Sequence, residues 1–190
     1  MPSLLDLEAF DPETGKLNVI VETPRGSRIK YKYDPDRRLF KVHSLLPMGS
    51  TFPFDFGFVP STLAGDGDPL DVLVLTDEPA IGGCLEPCRL LGVIEAEQTQ
   101  DGKTERNDRL IAVPAEAHQH EEAQSLKELT EETLKEIEHF FTSYDEMQGK
   151  RFKPIRCRGP RRAQKLIAAG QKRFKEQKGR KQKAATKDGN

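Results

Sequence analysis

The sequence has no tryptophan, three cysteines and no apolar run long enough to cross a membrane. A spanning helix needs roughly 20 consecutive apolar residues, and only 35% of this chain is hydrophobic while 32% is charged. The first residues include Asp6 and Glu8, where a signal peptide would carry a basic segment followed by an apolar stretch. We therefore expect a cytoplasmic protein with no membrane partner.

The few cysteines also exclude a domain stabilised by disulfides and one stabilised by a zinc site. Cys84, Cys88 and Cys157 are odd in number and form no C-x-x-C pair. A disulfide framework and a tetrahedral zinc site both need paired cysteines at short spacing. We expect three buried, reduced thiols.

The charge is divided unevenly along the chain although the net charge is only -1. Residues 1–149 hold 14 Lys+Arg against 29 Asp+Glu, whereas residues 150–190 hold 16 against 2. The length predicts one domain over 1–170, with an N-terminal arm over 1–15, and a basic, partly disordered tail over 171–190. The acidic body disfavours nucleic acid as a partner because it would repel a phosphate backbone, but it can house divalent cations.

The pattern of apolar residues predicts strands first and helices later. Strands are expected over 17–23, 29–33, 39–43, 70–75, 88–96 and 110–113, where Val, Ile and Tyr runs lie between turn signals. A helix over 131–144 follows Thr130 as its N-cap, and a second helix begins near Pro160. This order predicts an α+β protein, with a sheet or barrel core and helices packed outside.

One acidic segment indicates metal chemistry, namely Gly65-Asp66-Gly-Asp68-Pro-Leu-Asp71. Its carboxylates would repel one another by ~3 kcal/mol per pair at ~5 Å and an effective dielectric constant of ~20. An EF-hand is excluded because that loop needs glycine at its sixth position, where this segment has Asp71. Oxygen ligands without His or Cys favour magnesium or manganese. An ordinary acidic turn remains the alternative.

The same segment matches the Asp-x-Asp-Pro-x-Asp signature of family I soluble inorganic pyrophosphatases, and the chain from about residue 18 to 167 resembles that family. Further matches, in order, are Val21-Glu22-x-Pro24, Ile29-Lys30-Tyr31, Phe52-Pro53-x-x-Phe56-Gly57-Phe58, Leu110-Ile111-Ala112-Val113-Pro114 and His139-Phe140-Phe141-x-x-Tyr144. The resemblance implies an OB-like five-stranded β-barrel with outer helices, the two main ones C-terminal. It also implies a homo-oligomer that hydrolyses pyrophosphate to two phosphates with Mg²⁺, Mn²⁺ being possible.

The resemblance assigns a role to each matching position. Asp66 and Asp71 would ligate metal, while Asp68 would be a ligand or general base beside the attacking water. Glu22 would join through metal-bound waters, and Tyr144 would donate its hydroxyl to the product phosphate. The remaining expected site residues are Lys30, Arg109 and His43 as substrate contacts and Asp108 as a metal ligand, the last displaced by one position from Asn107.

Several positions depart from the family pattern. Lys32 stands where the family has Glu, His43 where it has Arg, Phe52 and Phe56 where it has Tyr, Asn107 where it has Asp, and Asp145 where it has Lys. Each lost charge-assisted contact would cost ~1.5 to 3 kcal/mol. Two alternatives therefore stay open. One is a metal-dependent phosphohydrolase for an organic diphosphate, with Phe52 and Phe56 as an apolar wall, and the other is an inactive relative that binds metal and phosphate.

Overall fold

The computed structural model describes residues 3–187, with side chains through residue 180. Within that range the strands are β1 Leu17–Thr23, β2 Ile29–Asp34, β3 Leu39–Leu45, β4 Asp55–Val59, β5 Leu70–Val74, β6 Leu85–Gln100, β7 Lys103–Arg106, β8 Arg109–Pro114 and β9 Arg151–Arg158. The helices are α1 Glu131–Glu146 and α2 Pro160–Lys187, with 3-10 turns at Leu4–Asp6 and Leu126–Glu128.

Five strands close into a barrel. They pair in the order β1, β4, β5, β8 and β6, and β1 pairs again with β6 to complete the ring. All these pairs are antiparallel except β5 with β8. The long β6 continues past the barrel and carries β7 and β9, while β2 and β3 form a separate hairpin. The predicted α+β class and five-stranded barrel are confirmed.

Gly57 allows the close approach of β1 and β4. A Cβ atom built on Gly57 would lie 2.1 Å from the carbonyl oxygen of Ile20 in β1. No side chain can occupy that space, so glycine is required where these two strands pair. This contact fixes the end of β1 that carries Glu22.

Each face of the barrel wall packs against a different helix. Leu73 and Leu75 belong to the apolar cluster that includes Ile137 and Phe141 of α1, whereas Val72 and Val74 belong to the cluster that includes α2. Alternate residues of a strand point to opposite faces, so β5 is buried on both sides. That arrangement confirms the prediction of a fully buried strand at this position.

Both predicted helices are present. The side chain of Thr130 caps α1 by accepting the N–H of Thr133 at 3.1 Å. Ala163 and Ile167 of α2 are completely buried against the barrel. The boundary predicted at residue 170 falls inside α2, and residues 188–190 lie outside the described part of the chain. Neither helix is both long and apolar enough to span a membrane within the residues described.

Two details of the sequence analysis are wrong. Only Cys88 is buried, because Cys84 lies in the loop before β6 and Cys157 lies in β9, where both side chains are exposed. In addition, three strands were not expected, namely β4, β7 and β9. The first lies in a segment rich in Pro, Gly and Phe, and the other two are dominated by charged residues.

Candidate active site

The acidic segment forms a tight turn that leads into β5. The N–H of Asp68 donates to Oδ1 of Asp66 at 3.1 Å, and the N–H of Ala64 donates to the carbonyl oxygen of Asp68 at 2.7 Å. Asp71 is the second residue of β5 and lies opposite Phe58 of β4. Since β4 and β5 are both part of the barrel wall, the three aspartates are held at one end of it.

Glu22 approaches this turn from β1. Its side chain is buried, and Oε1 accepts the backbone N–H of Tyr33 at 2.6 Å. Burial raises the pKa of Glu22 to about 7, and the negative charge of Asp71 adds to the shift. The structure therefore places Glu22 and Asp71 close enough for their charges to interact.

The five predicted carboxylates line two cavities. Glu22, Asp68 and Asp71 line one of about 200 Å³, and Asp66, Asp71 and Asp108 line another of about 290 Å³. Burial raises the pKa of Asp66, and the charges of Asp71 and Asp68 add to this effect. Nevertheless, across the described residues no three His, Cys, Asp or Glu side chains are gathered as a ready metal-coordinating group.

Two cations occupy positions beside these carboxylates. Lys32 Nζ donates to Asp68 Oδ2 at 2.6 Å. Arg109 donates from one terminal nitrogen both to Asp71 and, at 2.5 Å, to Oδ1 of Asn107. Asn107 in turn donates to Gln98. The chain thus neutralises its own acidic cluster with Lys32 and Arg109.

An aromatic wall supports the basic side of the site. Lys30 Nζ lies 4.9 Å from the ring centroid of Phe56 and 5.2 Å from that of Tyr144. The Arg109 guanidinium lies 5.2 Å from the ring centroid of Phe141. Among the described residues the buried hydroxyl of Tyr144 has no hydrogen-bond partner. A buried polar atom without a partner is costly, and the hydroxyl of Tyr144 is left unsatisfied by the described residues.

His43 and Asp145 complete the surroundings of Lys30. His43 is exposed on β3, and partial burial together with the charges of Lys30 and Lys32 lowers its pKa. Asp145 is 2% exposed, and one of its carboxylate oxygens has no partner among the described residues. Burial raises the pKa of Asp145, although Arg109 acts in the opposite direction.

The model of the inorganic pyrophosphatase family matches residues 19–175. The chain belongs to this family. It is 38% identical to an inorganic pyrophosphatase of Geobacillus stearothermophilus, over 85% of this chain and 96% of that relative. A solved inorganic pyrophosphatase from Thermus thermophilus is 34% identical and superposes with a TM-score of 0.82, over 92% of this chain and 99% of the other. One from Coxiella burnetii gives 35% and 0.76, over 90% and 98%.

Two aromatic residues of this pyrophosphatase family member lie buried beneath the site and not at its surface. Phe52 and Phe56 are 1% and 2% exposed and belong to the main apolar cluster. Phe52 packs against Phe140 and Tyr144, with centroids 5.2 and 5.7 Å apart. The expectation that Phe52 and Phe56 form an apolar wall for an organic substrate is therefore wrong, because both rings are needed to fill the core beneath α1.

Asn107 and Asp108 point to different neighbours. Asn107 contacts Arg109, whereas Oδ1 of Asp108 accepts the N–H of Ala96 at 3.0 Å and a terminal nitrogen of Arg106 at 2.7 Å. The geometry therefore favours Asn107 over Asp108 as the residue beside Arg109. Asp108 nevertheless lines the 290 Å³ cavity together with Asp66 and Asp71, so its role as a metal ligand stays a prediction.

The sequence did not lead us to expect one buried carboxylate. Glu95 lies in the middle of β6 and is 1% exposed. Its signal in the sequence is a single acid within the otherwise apolar run Leu90-Leu-Gly-Val-Ile-Glu95-Ala96. A charge at such a position is buried and must be paired, and the partners prove to be arginines from three other elements.

Proposed function

We propose that this protein hydrolyses inorganic pyrophosphate to two phosphates with a divalent cation, Mg²⁺ being preferred and Mn²⁺ accepted. The observation that supports this best is the meeting of Glu22, Asp68 and Asp71 around one cavity. Membership of the inorganic pyrophosphatase family supports the same reaction.

The donor set suits a hard divalent cation. Asp66, Asp68, Asp71 and Glu22 offer carboxylate oxygens. Among the described residues, no His or Cys lines either of the two cavities. Oxygen-only donors favour Mg²⁺ and Mn²⁺. A bound cation of this kind supplies charge that neutralises the phosphates and lowers the pKa of the attacking water.

The remaining residues bind and orient the substrate. Lys30 and Arg109 donate charge-assisted hydrogen bonds to phosphoryl oxygens, and the unpartnered hydroxyl of Tyr144 donates to the departing phosphate. Asp68 accepts the proton of the attacking water. To do so it must exchange its hydrogen bond with Lys32 for one with that water. His43 contributes a hydrogen-bond donor at the rim.

A direct test is phosphate release from pyrophosphate by the purified chain with Mg²⁺. We expect turnover that falls by at least about a hundredfold in Asp68→Asn, because a general acid–base group contributes about 10²- to 10⁴-fold. Asp36→Asn is the matched control, since Asp36 is an exposed turn residue between β2 and β3. Equal activity in wild type and Asp68→Asn would contradict the assigned role.

A panel of organic diphosphates separates the proposal from its alternatives. Preference for a nucleoside or alkyl diphosphate over pyrophosphate would favour the altered-substrate enzyme. No turnover of any member, in a folded protein that still binds Mg²⁺ calorimetrically, would identify an inactive relative. The burial of Phe52 and Phe56 removes the specific argument for an organic substrate.

Assembly and location are part of the same proposal. We infer a homo-oligomer in the cytoplasm, in keeping with the family resemblance. Light scattering coupled to gel filtration measures the first, and a single-chain mass of about 21.4 kDa would overturn it.

A further inference from the structure

Four arginines from three elements surround Glu95 in β6. Arg156 of β9 donates its Nε to Glu95 at 2.6 Å, and Arg162 of α2 donates its Nε to the other carboxylate oxygen at 2.8 Å. Arg106 of β7 and Arg158 of β9 lie at 3.6 and 3.9 Å. We call these four side chains the arginine cluster. One buried carboxylate thus holds two guanidinium groups in fixed orientations.

The hydrogen bonds leave most of the donors unused. An arginine carries five N–H donors, and Arg156 and Arg162 each make their hydrogen bond to Glu95 through Nε alone. Among the described residues neither makes a second side-chain hydrogen bond, and Arg158 makes none. The terminal nitrogens therefore form a set of cationic donors positioned at the surface.

The charge at this place exceeds what the internal partners neutralise. The arginine cluster carries four positive charges, while Glu95 and Asp108 supply two negative ones. The four side chains are between 45% and 57% exposed, whereas Glu95 is 1% exposed. A surplus of cations paired with two largely buried carboxylates attracts an external anion.

The cluster also adjoins a concave surface. Arg106 and Arg162 line the cavity of about 290 Å³ that Asp66 and Asp71 also line, and Arg173 lines it from further along α2. Arg173 donates its Nε to the carbonyl oxygen of Leu63, which again leaves its terminal nitrogens available. The planar fork of arginine matches the oxygens of a phosphate.

We propose that the arginine cluster is a binding site for the phosphate group of a small molecule, at the edge of the 290 Å³ cavity and distinct from the phosphate contacts proposed for Lys30 and Arg109. Glu95 is its positioning residue, since it orients Arg156 and Arg162 without facing solvent. The ligand is a free phosphate or a phosphorylated metabolite, because both present the same tetrahedral oxygens to the guanidinium groups.

Calorimetric titration without divalent metal tests the proposal with inorganic phosphate and a nucleoside monophosphate as probes. The background is Lys30→Gln, which removes a proposed phosphate contact of the candidate active site. We expect Arg158→Gln to weaken the remaining binding about tenfold, equivalent to one charge-assisted hydrogen bond. Arg158 is the best target because it lies 3.9 Å from Glu95 and its removal spares both short hydrogen bonds. Arg156→Gln should act in the same direction.

Arg161→Gln is the matched control, since Arg161 is an exposed neighbour of Arg162 and makes no contact with Glu95 among the described residues. Its phosphate affinity should equal that of the Lys30→Gln parent. Tighter binding of the nucleoside monophosphate than of phosphate identifies a phosphorylated metabolite, and the reverse identifies free phosphate. Loss of all binding in Lys30→Gln, or unchanged affinity in both Arg158→Gln and Arg156→Gln, would overturn the proposal and leave a purely structural ion-pair network.

Discussion

The side chain that most alters the candidate site is Lys32. It places a positive charge 2.6 Å from Asp68, at a position where the resemblance implies an acid. A carboxylate paired with an internal cation binds an external cation more weakly, because the two compete for the same oxygens. Membership of the pyrophosphatase family therefore predicts the fold of this chain better than it predicts its metal affinity.

Replacing Lys32 with glutamate should restore metal affinity. We expect Lys32→Glu to bind Mg²⁺ at least about tenfold more tightly, since exchanging a nearby positive charge for a negative one changes the interaction with a cation by several kcal/mol before screening at these half-exposed groups. Calorimetric titration of the pyrophosphate-free protein measures this. Lys135→Glu makes the same charge change on the exposed face of α1 and should leave the affinity unchanged. Equal affinities for the two variants would show that Lys32 does not compete with metal.

At the scale of whole elements, the strands and helices with the strongest hydrophobic pattern are the ones that the sequence predicts. β1 and β5 were predicted because their apolar runs are continuous, and α1 because Ile137, Phe141 and Tyr144 recur at helical spacing. β9 was missed because Arg-Phe-Lys-Pro-Ile-Arg-Cys-Arg has few apolar residues and contains a proline. Its pairing with β6 along seven residue positions depends on a partner that is distant in sequence.

The site was predictable only where a motif is local. Asp66, Asp68 and Asp71 stand within six residues, so their closeness follows from the sequence alone, whereas their predicted metal-binding role came from the family resemblance. The pairs Lys32–Asp68 and Arg109–Asp71 join residues 36 and 38 positions apart. No local pattern encodes such contacts, and the resemblance to a family could not indicate them because Lys32 departs from it.

Glu95 connects four elements and should govern the stability of β9 and α2 on the barrel. Its hydrogen bonds to Arg156 and Arg162 lower the pKa of its carboxyl group below the ordinary value. A lowered pKa in the folded state contributes stability that is present above the unfolded pKa and lost as the pH falls through the folded pKa. The wild type should therefore lose stability from about pH 4.5 downwards, partly through this group.

Glu95→Gln should remove that part of the acid sensitivity. We expect the variant to be about 2 kcal/mol less stable at pH 7, because charge-assisted hydrogen bonds to the arginines are lost, and the difference should shrink towards pH 3. Denaturant unfolding at several pH values measures both free energies. Glu97→Gln is the control, since Glu97 is two residues further along β6 and forms no ion pair among the described residues. A difference between wild type and Glu95→Gln that is independent of pH would refute the assignment of the lowered pKa to these ion pairs.

For the molecule as a whole, metal binding and folding must be linked through the acidic end of the barrel. The carboxylate of Asp71 repels those of Glu22 and Asp66, and this repulsion opposes the folded state. A ligand that binds only the folded state stabilises it by RT ln(1 + [L]/Kd), which is about 2.7 kcal/mol at a hundred times Kd. Mg²⁺ should consequently raise the thermal unfolding midpoint even if the protein has no turnover.

The prediction is a Tm that increases with Mg²⁺ concentration and not with NaCl of equal ionic strength. Asp66→Asn should lower the increase, because one carboxylate ligand is lost, and it should raise the Tm in the absence of metal, because the repulsion from Asp71 and Asp68 is relieved. These opposite changes in one variant distinguish loss of a ligand from general destabilisation. Differential scanning calorimetry provides both midpoints. A Tm that responds equally to Mg²⁺ and to NaCl in the wild type would show that the carboxylates form no metal site, because ionic screening alone would account for the stabilisation.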